Sequence, residues 1–327
     1  GPGEWCRYES ERHEQIVERM RLREALSRAV TEGSFHVQYQ PIVVLDTGAT
    51  VGFEALVRWE HPTRGLVAPA EFIALAEETG LIESIGDLVL RTAVATAVGW
   101  GRTADTDAYV SVNVSARQFR TPGLAERVER VITAAGLPPS RLMLEITESL
   151  VLREEDHVLA ELATLRNVGV RLAIDDFGTG FSSLSYLEQT PIDVIKIDKS
   201  FAGTLVASDR QRTVVEGVVR MAEKLGLQVV AEGVETIAQR GLLTEMRCPY
   251  GQGYLWAEPL DDVEASRWLA TQPVAPAPPA PTVLTPWPGP VPRPAPPADD
   301  RPATPVPPAD AAVAAPITSP LPGTMPP

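Results

Sequence analysis

Polar residues interrupt apolar stretches at six places along the chain. Glu54 follows Val-Gly-Phe, Asn113 sits in VSVNVS, Glu145 in LMLEIT, Asp175 and Asp176 close RLAIDD, Lys196 lies in DVIKID, and Glu232 ends QVVAEG. A charged side chain at a strand end is costly unless it is paired or holds a metal. One such residue reads as a salt bridge; six stretches that each deliver one read as a site. Five carboxylates, an asparagine oxygen and one lysine make an oxygen-rich set suited to Mg²⁺ or Mn²⁺, without the histidine and cysteine that structural zinc prefers. Five clustered carboxylates repel one another when empty, and two cations about 3.5–4 Å apart with a shared carboxylate serve phosphodiester chemistry. Asp175 is the natural bridge. Taken singly, each residue has a plainer reading: Glu145 or Glu232 as a paired structural acid, Asp176 as a cap or turn residue, Lys196 as a salt-bridge partner. His13, His36, His61 and His157 show no ligand spacing.

These residues need elements to bring them together. From Phe35 onward, short β-rich runs alternate with longer helical ones. Strands are expected over 35–43, 50–59, 108–115, 141–147, 170–176, 193–198, 227–233 and 248–254. Helical runs such as LAERVERVITAAG and RTVVEGVVRMAEKLG separate most of them. Eight strands fit an α/β fold of the TIM-like (β/α)8 barrel type, whose active face lies at the C-terminal strand ends. The first connection, LDTGA, is too short for a crossover helix, so the first strand is expected to run antiparallel to the second. The segment DDFGTGFSSLSYL, with Gly178 and Gly180, reads as a loop that orders the rim and meets a second subunit. It lacks the spacing and ending of a nucleotide P-loop.

The 327 residues carry 43 acidic and 29 basic side chains, a net charge of −14, which argues against a DNA or RNA polymer as partner. Of the 31 prolines, 21 fall in residues 271–327, so this stretch is expected to be a disordered, polyproline-like tail. Ile16, Met20, Leu22, Leu26 and Val30 mark an amphipathic helix over 9–30. The expected organisation is a linker helix over 1–24, a domain over 25–270 and the tail. Two cysteines, Cys6 and Cys248, fit a reducing compartment. No segment of the sequence has the length and apolarity of a membrane span. A cytoplasmic domain is the expectation, within a full-length protein that could be membrane-attached.

The motifs FEALVRW, YQPIV, NVS, LEITES, DDFGTGFSSL, IKIDKSF, AEGVET and GQGY stand in the order of one family. Over about residues 25–265 the chain resembles the EAL-domain cyclic di-GMP phosphodiesterases. The resemblance implies a barrel with an antiparallel first strand and hydrolysis of cyclic di-GMP to linear 5′-pGpG, with two Mg²⁺ or Mn²⁺ per site and Ca²⁺ inhibitory. Glu54, Asn113, Glu145 and Asp175 resemble the ligands of one metal, and Asp175, Asp176 and, directly or through water, Glu232 those of the other. Lys196 matches the lysine that holds or deprotonates the attacking water, and Glu235 a further active-site position. Gln40, Arg58 and Gln252 look like substrate contacts, and Glu148 resembles the residue that anchors the loop after Asp176. The one departure is Phe181, where tyrosine is common. A homodimer through that loop is implied, as is an upstream sensory or GGDEF domain, because the first residues resemble the link that follows one. The rival reading is a receptor that binds cyclic di-GMP without cleaving it; such receptors are expected to lose a metal ligand or the lysine, and this chain keeps them.

Overall fold

The protein is described here by a computed structural model, covering residues 2–103, 107–152, 156–178, 187 and 190–275. The loop 179–186, with Phe181 and the surface expected to dimerise, and the tail over 276–327 lie outside the described residues.

The strands are β1 (Phe35–Val44), β2 (Thr50–His61), β3 (Gly65–Val67), β4 (Tyr109–Asn113), β5 (Leu142–Thr147), β6 (Arg171–Phe177), β7 (Val194–Ile197), β8 (Gln228–Ala231) and β9 (Tyr250–Gln252). They follow the order β1-β9-β8-β7-β6-β5-β4-β2-β3, and β1 also pairs with β2, which closes a distorted TIM-like barrel and leaves β3 outside as a hairpin partner of β2. From β2 to β9 around the barrel the pairings are parallel. Strand β1 alone runs antiparallel to both neighbours. Its turn explains this: Val44 and Ala49 stay hydrogen-bonded at 2.8 Å across LDTGA, which leaves no room for a crossover. All eight expected barrel strands are present, within a few residues of the expected ends. Strand β3 was not expected, since three residues are too few to show a period.

Helices wrap the outside, among them Pro69–Thr79, Ile82–Thr103, Leu124–Ala135, Asp156–Val168, Asp209–Lys224, Ile237–Glu245 and Asp262–Thr271. Beyond Thr271 the chain stays against the barrel, where Val274 bridges Thr50 and Ala275 N–H donates to Thr50 O at 3.0 Å. Among the described residues no helix is long and apolar enough to cross a membrane.

Among the described residues, two apolar cores result. The larger lies between barrel and helices. The smaller contains Ile42, Tyr109, Met143, Ala173, Val194 and Val230; the last four each stand two residues before a site residue, so strand alternation stacks the polar layer directly on this plug. The leading helix Pro2–Glu32 joins the larger core through Leu26 and Ala29, both buried. Leu26→Ala is expected to cost about 2–5 kcal/mol, read as a lower melting temperature; an unchanged melt would show that the helix is not part of the folded domain.

Candidate active site

Strand geometry accounts for most of the assembly. Asn113, Glu145, Asp175, Lys196 and Gln252 stand at or near the C-terminal ends of β4, β5, β6, β7 and β9, Glu232 directly follows β8, and Glu54 lies within the longer β2, opposite Ser111 of β4. Asp176 needs something more, because consecutive strand residues point to opposite faces. Between Ile174 and Phe177, β6 spends three steps while β7 spends two from Ile195 to Ile197, so β6 carries a bulge at Asp175–Asp176. Asp176 takes a left-handed φ of 54° there. A bulge re-aims side chains next to sites of this kind. Asp175, Asp176 and Glu232 each place a carboxylate oxygen within 4.8 Å of the other two.

Lys196 is the centre of charge. Its side chain is 1% exposed, and its Nζ lies 2.6 Å from Glu232 Oε1, 2.8 Å from Glu145 Oε2, 3.2 Å from Glu54 Oε2 and 3.4 Å from Asp175 Oδ1. Glu54 is braced from two more sides, by Asn113 Nδ2 at 2.7 Å on Oε1 and Gln252 Nε2 at 2.7 Å on Oε2. Gln252 Nε2 also donates to Gln40 Oε1 at 2.9 Å, and Gln40 Nε2 to Ala257 O at 3.2 Å. Gln40, Gln252, Glu54, Asn113, Lys196, Glu145, Asp175 and Glu232 thus form one connected network.

Burial and like charge set the protonation states. Burial raises the Glu145 carboxyl well above the usual range, with Glu54 and Asp175 adding to it against Lys196. Glu232 is pushed up to about 8, by burial first and by Asp175 and Glu54 next, against the pull of Lys196. Burial also raises Asp176, helped by Asp175 and Asp198. Glu54 goes the other way: burial pushes it up, but Lys196 and the hydrogen bonds from Gln252 and Asn113 outweigh that and hold it low. Burial alone would lower Lys196, yet Asp175, Glu145, Glu232 and Glu54 hold its ammonium well above its ordinary value.

The cluster fits divalent cations. Glu145 Oε1 is buried without a hydrogen-bond partner, and Asp175 Oδ1, buried likewise, has only the Lys196 ammonium at 3.4 Å; carboxylate oxygens so sparsely met are costly to bury unless a further cation takes them. With Nδ2 committed to Glu54, Asn113 keeps Oδ1 for a cation. The acidic group is a candidate metal-binding cluster of the hard, oxygen-only kind suited to Mg²⁺ or Mn²⁺.

The remaining selected residues lie around this centre. Arg58, half-buried, is four residues past Glu54 on β2 and donates to Gln38 Oε1 at 2.7 Å and Val57 O at 2.9 Å. Glu148, buried, accepts from Gly178 N–H at 3.1 Å and so grips the chain just after Asp176. Glu235 is exposed, and its carboxylate is outside the triad; its backbone N–H donates to Gln239 Oε1 at 2.8 Å. Sequence reading passed over Asp198, Phe201 and Gln239, which border the site. Asp198 and Gln239 carry local signals, Asp198 as an N-cap residue and Gln239 as the last residue of a T-x-x-Q capping box begun by Thr236, whereas Phe201 carries none.

The EAL domain family matches residues 23–259. The bifunctional diguanylate cyclase/cyclic di-GMP phosphodiesterase MucR of Pseudomonas aeruginosa is 40% identical over 260 residues, 80% of this chain and 38% of MucR. The oxygen sensor protein DosP of Escherichia coli is 37% identical over 271 residues, 83% of this chain and 34% of DosP. The chain therefore spans well under half the length of these curated relatives. Among solved structures, the PaMucR phosphodiesterase in its c-di-GMP complex superposes with a TM-score of 0.70 at 40% identity, covering 77% of this chain and 99% of that one. With the barrel, the antiparallel first strand and the acidic layer in place, this match over most of its folded length makes the chain a member of the EAL domain family.

Proposed function

We propose that this domain hydrolyses cyclic di-GMP to linear 5′-pGpG with two Mg²⁺ or Mn²⁺ at the acidic layer. The observation that carries the reading is the buried Lys196 ammonium among four carboxylates, beside a triad of acids whose oxygens lie within 4.8 Å. Glu54, Asn113, Glu145 and Asp175 would hold one cation, and Asp175, Asp176 and Glu232 the other. When bound, the cations polarise the phosphoryl oxygens and acidify water at the site. Lys196 donates from Nζ to the attacking water and orients it in line with phosphorus. Water oxygen forms the new P–O bond as the water gives up a proton, the P–O3′ bond breaks, and the leaving 3′-oxygen takes up one proton from solvent, so that one water is consumed with no net change in protons beyond those of the new phosphate. Arg58 contacts a phosphate, Gln40 and Gln252 position the nucleotide and Glu54, and Glu235 borders the pocket. Glu148 anchors the loop after Asp176.

Ca²⁺, larger and looser in coordination, occupies the site without turnover. In this reading residues 25–270 are the catalytic domain, preceded by a linker helix over 1–24 and followed by an extended tail. The domain dimerises through the loop following Asp176, works in the cytoplasm and answers to an upstream sensory or GGDEF domain, in a full-length protein attached to a membrane or free of one.

The test is product analysis after the protein meets cyclic di-GMP with Mg²⁺ or Mn²⁺. Metal-dependent 5′-pGpG is expected, and Glu54→Ala should reduce it at least about a hundredfold, since several kcal/mol of charge stabilisation depend on a placed cation. Tight binding of the nucleotide without product would instead favour the receptor reading. Retention of Lys196 and every acid of the layer supports catalysis over that reading.

A further inference from the structure

The helix Lys199–Thr204 follows β7 directly, and Asp198 caps it by accepting from Ser200 N–H at 3.0 Å. On one side it meets the loop after β6. A methyl group on Gly178 would lie 2.6 Å from Phe201 Cζ, so the Phe201 ring rests on bare backbone, next to the N–H that Glu148 grips. On the other side it meets the loop after β8. A methyl group on Gly233 would lie 2.5 Å from Lys199 Cβ, and Gln239 Nε2 donates to Ala202 O at 3.0 Å. The other end of the Gln239 amide gathers the backbone N–H groups of Glu235, at 2.8 Å, and Thr236, at 2.7 Å. Gln239 is buried, and both of its polar atoms are used.

The acid triad explains why this contact matters. Asp175 and Asp176 belong to β6 and Glu232 follows β8, yet these strands are not neighbours, because β7 lies between them. Backbone pairing holds β6 to β7 at Ile174 and again at Phe177, opposite Ile197, and β8 to β7 at Ala231, with Glu232 N–H donating to Ile197 O at 3.0 Å, but it skips Asp175 and Asp176 in the bulge. Where the two loops leave these strands, at Gly178 and Gly233, their spacing depends on what stands between them. We propose that the helix Lys199–Thr204 is the spacer that sets the width of the acid triad, with Phe201 and Gln239 as positioning residues that touch neither cation nor substrate. The inference rests on the metal-binding reading of that triad.

Calorimetric titration of the full chain with Mn²⁺, paired with thermal melts, tests it. Phe201→Ala and Gln239→Leu are expected to weaken Mn²⁺ binding about 10- to 100-fold, the usual effect of removing support behind a metal ligand. Phe201→Leu, which keeps most of the bulk, should recover most of that loss. Gln239→Glu keeps the acceptor for Glu235 and Thr236 but loses the donor to Ala202, and should bind as weakly as Gln239→Leu. Leu243→Ala opens the core on the helix Ile237–Glu245; it should lower the melting temperature and leave Mn²⁺ affinity within about twofold. Affinity that merely tracks the melting temperature across all variants overturns the spacer, as does wild-type binding by Phe201→Ala or by Gln239→Glu. Wild-type protein that binds no Mn²⁺ would overturn the metal reading itself and this inference with it.

Discussion

Lys196→Met is expected to give a folded protein that, free of metal, melts well below the wild type at pH 8 and recovers most of the difference on addition of Mn²⁺. The side chain is 1% exposed and lies 2.6–3.4 Å from four carboxylates. Removing one partner of a buried ion cluster leaves uncompensated charge and costs about 3–5 kcal/mol. In a domain of this size that is a fall of roughly 10 °C. The sign with pH follows from the acids. Without the ammonium, Glu145 and Glu232, already raised by burial, take up protons more readily still. As pH falls they become neutral, so the gap from the wild type narrows at pH 6 and widens at pH 8. Melts of both proteins at the two pH values, each with chelator and with Mn²⁺, check this. A gap independent of both pH and metal would mean that Lys196 acts through packing and not through charge. Hydrolysis should be lost under every condition, because no cation replaces the donor that orients water.

How far the sequence reaches can be judged at particular residues. Strands β4 to β8 were legible because each is a short apolar run with one polar interruption near its end, and that interruption is itself the site. The antiparallel β1 was legible because five residues cannot cross a sheet face. Asp175 and Asp176 show where such reading stops. Their adjacency pointed to one site, yet a regular strand would have turned one of them away. Only the bulge and the left-handed backbone at Asp176 aim both inward, and neither leaves a mark in residue type, since aspartate is tolerated at that φ without announcing it. Gln239 shows the same limit at longer range. Its capping box is local and could be read, whereas its second hydrogen bond reaches Ala202, 37 residues away. Phe201 looks like one more apolar residue until Gly178 is found beneath its ring. Local chemistry was readable, and contacts between loops of different strands were not.

The remaining large effect is on metal affinity as a function of pH. In the metal-free protein Glu232 is pushed up to about 8, by burial first and neighbouring acids next. Below that value it carries a proton that a cation must displace. Apparent Mn²⁺ affinity should therefore rise at least about tenfold per pH unit between pH 6 and 8, with at least about one proton released per site at pH 7, since Glu145, also a ligand and raised well above its usual range, adds to the release. The same shift bears on stability with the opposite slope. A carboxyl whose folded pKa lies above its unfolded value binds its proton more tightly in the fold, so the metal-free protein loses this group's contribution as pH rises from about 4.5 to about 8. Metal binding reverses that loss, and the Mn²⁺-induced rise in melting temperature should accordingly be larger at pH 8 than at pH 6. Glu232→Gln separates this group from its neighbours. The amide cannot titrate, so the variant should bind Mn²⁺ more weakly at pH 8 and show a shallower pH dependence. Calorimetry in two buffers of different ionisation enthalpy counts the released protons directly. An affinity for Mn²⁺ that is flat from pH 6 to 8 in the wild type would mean that Lys196 keeps Glu232 ionised throughout, its ammonium doing there what Lys196, Gln252 and Asn113 do together at Glu54.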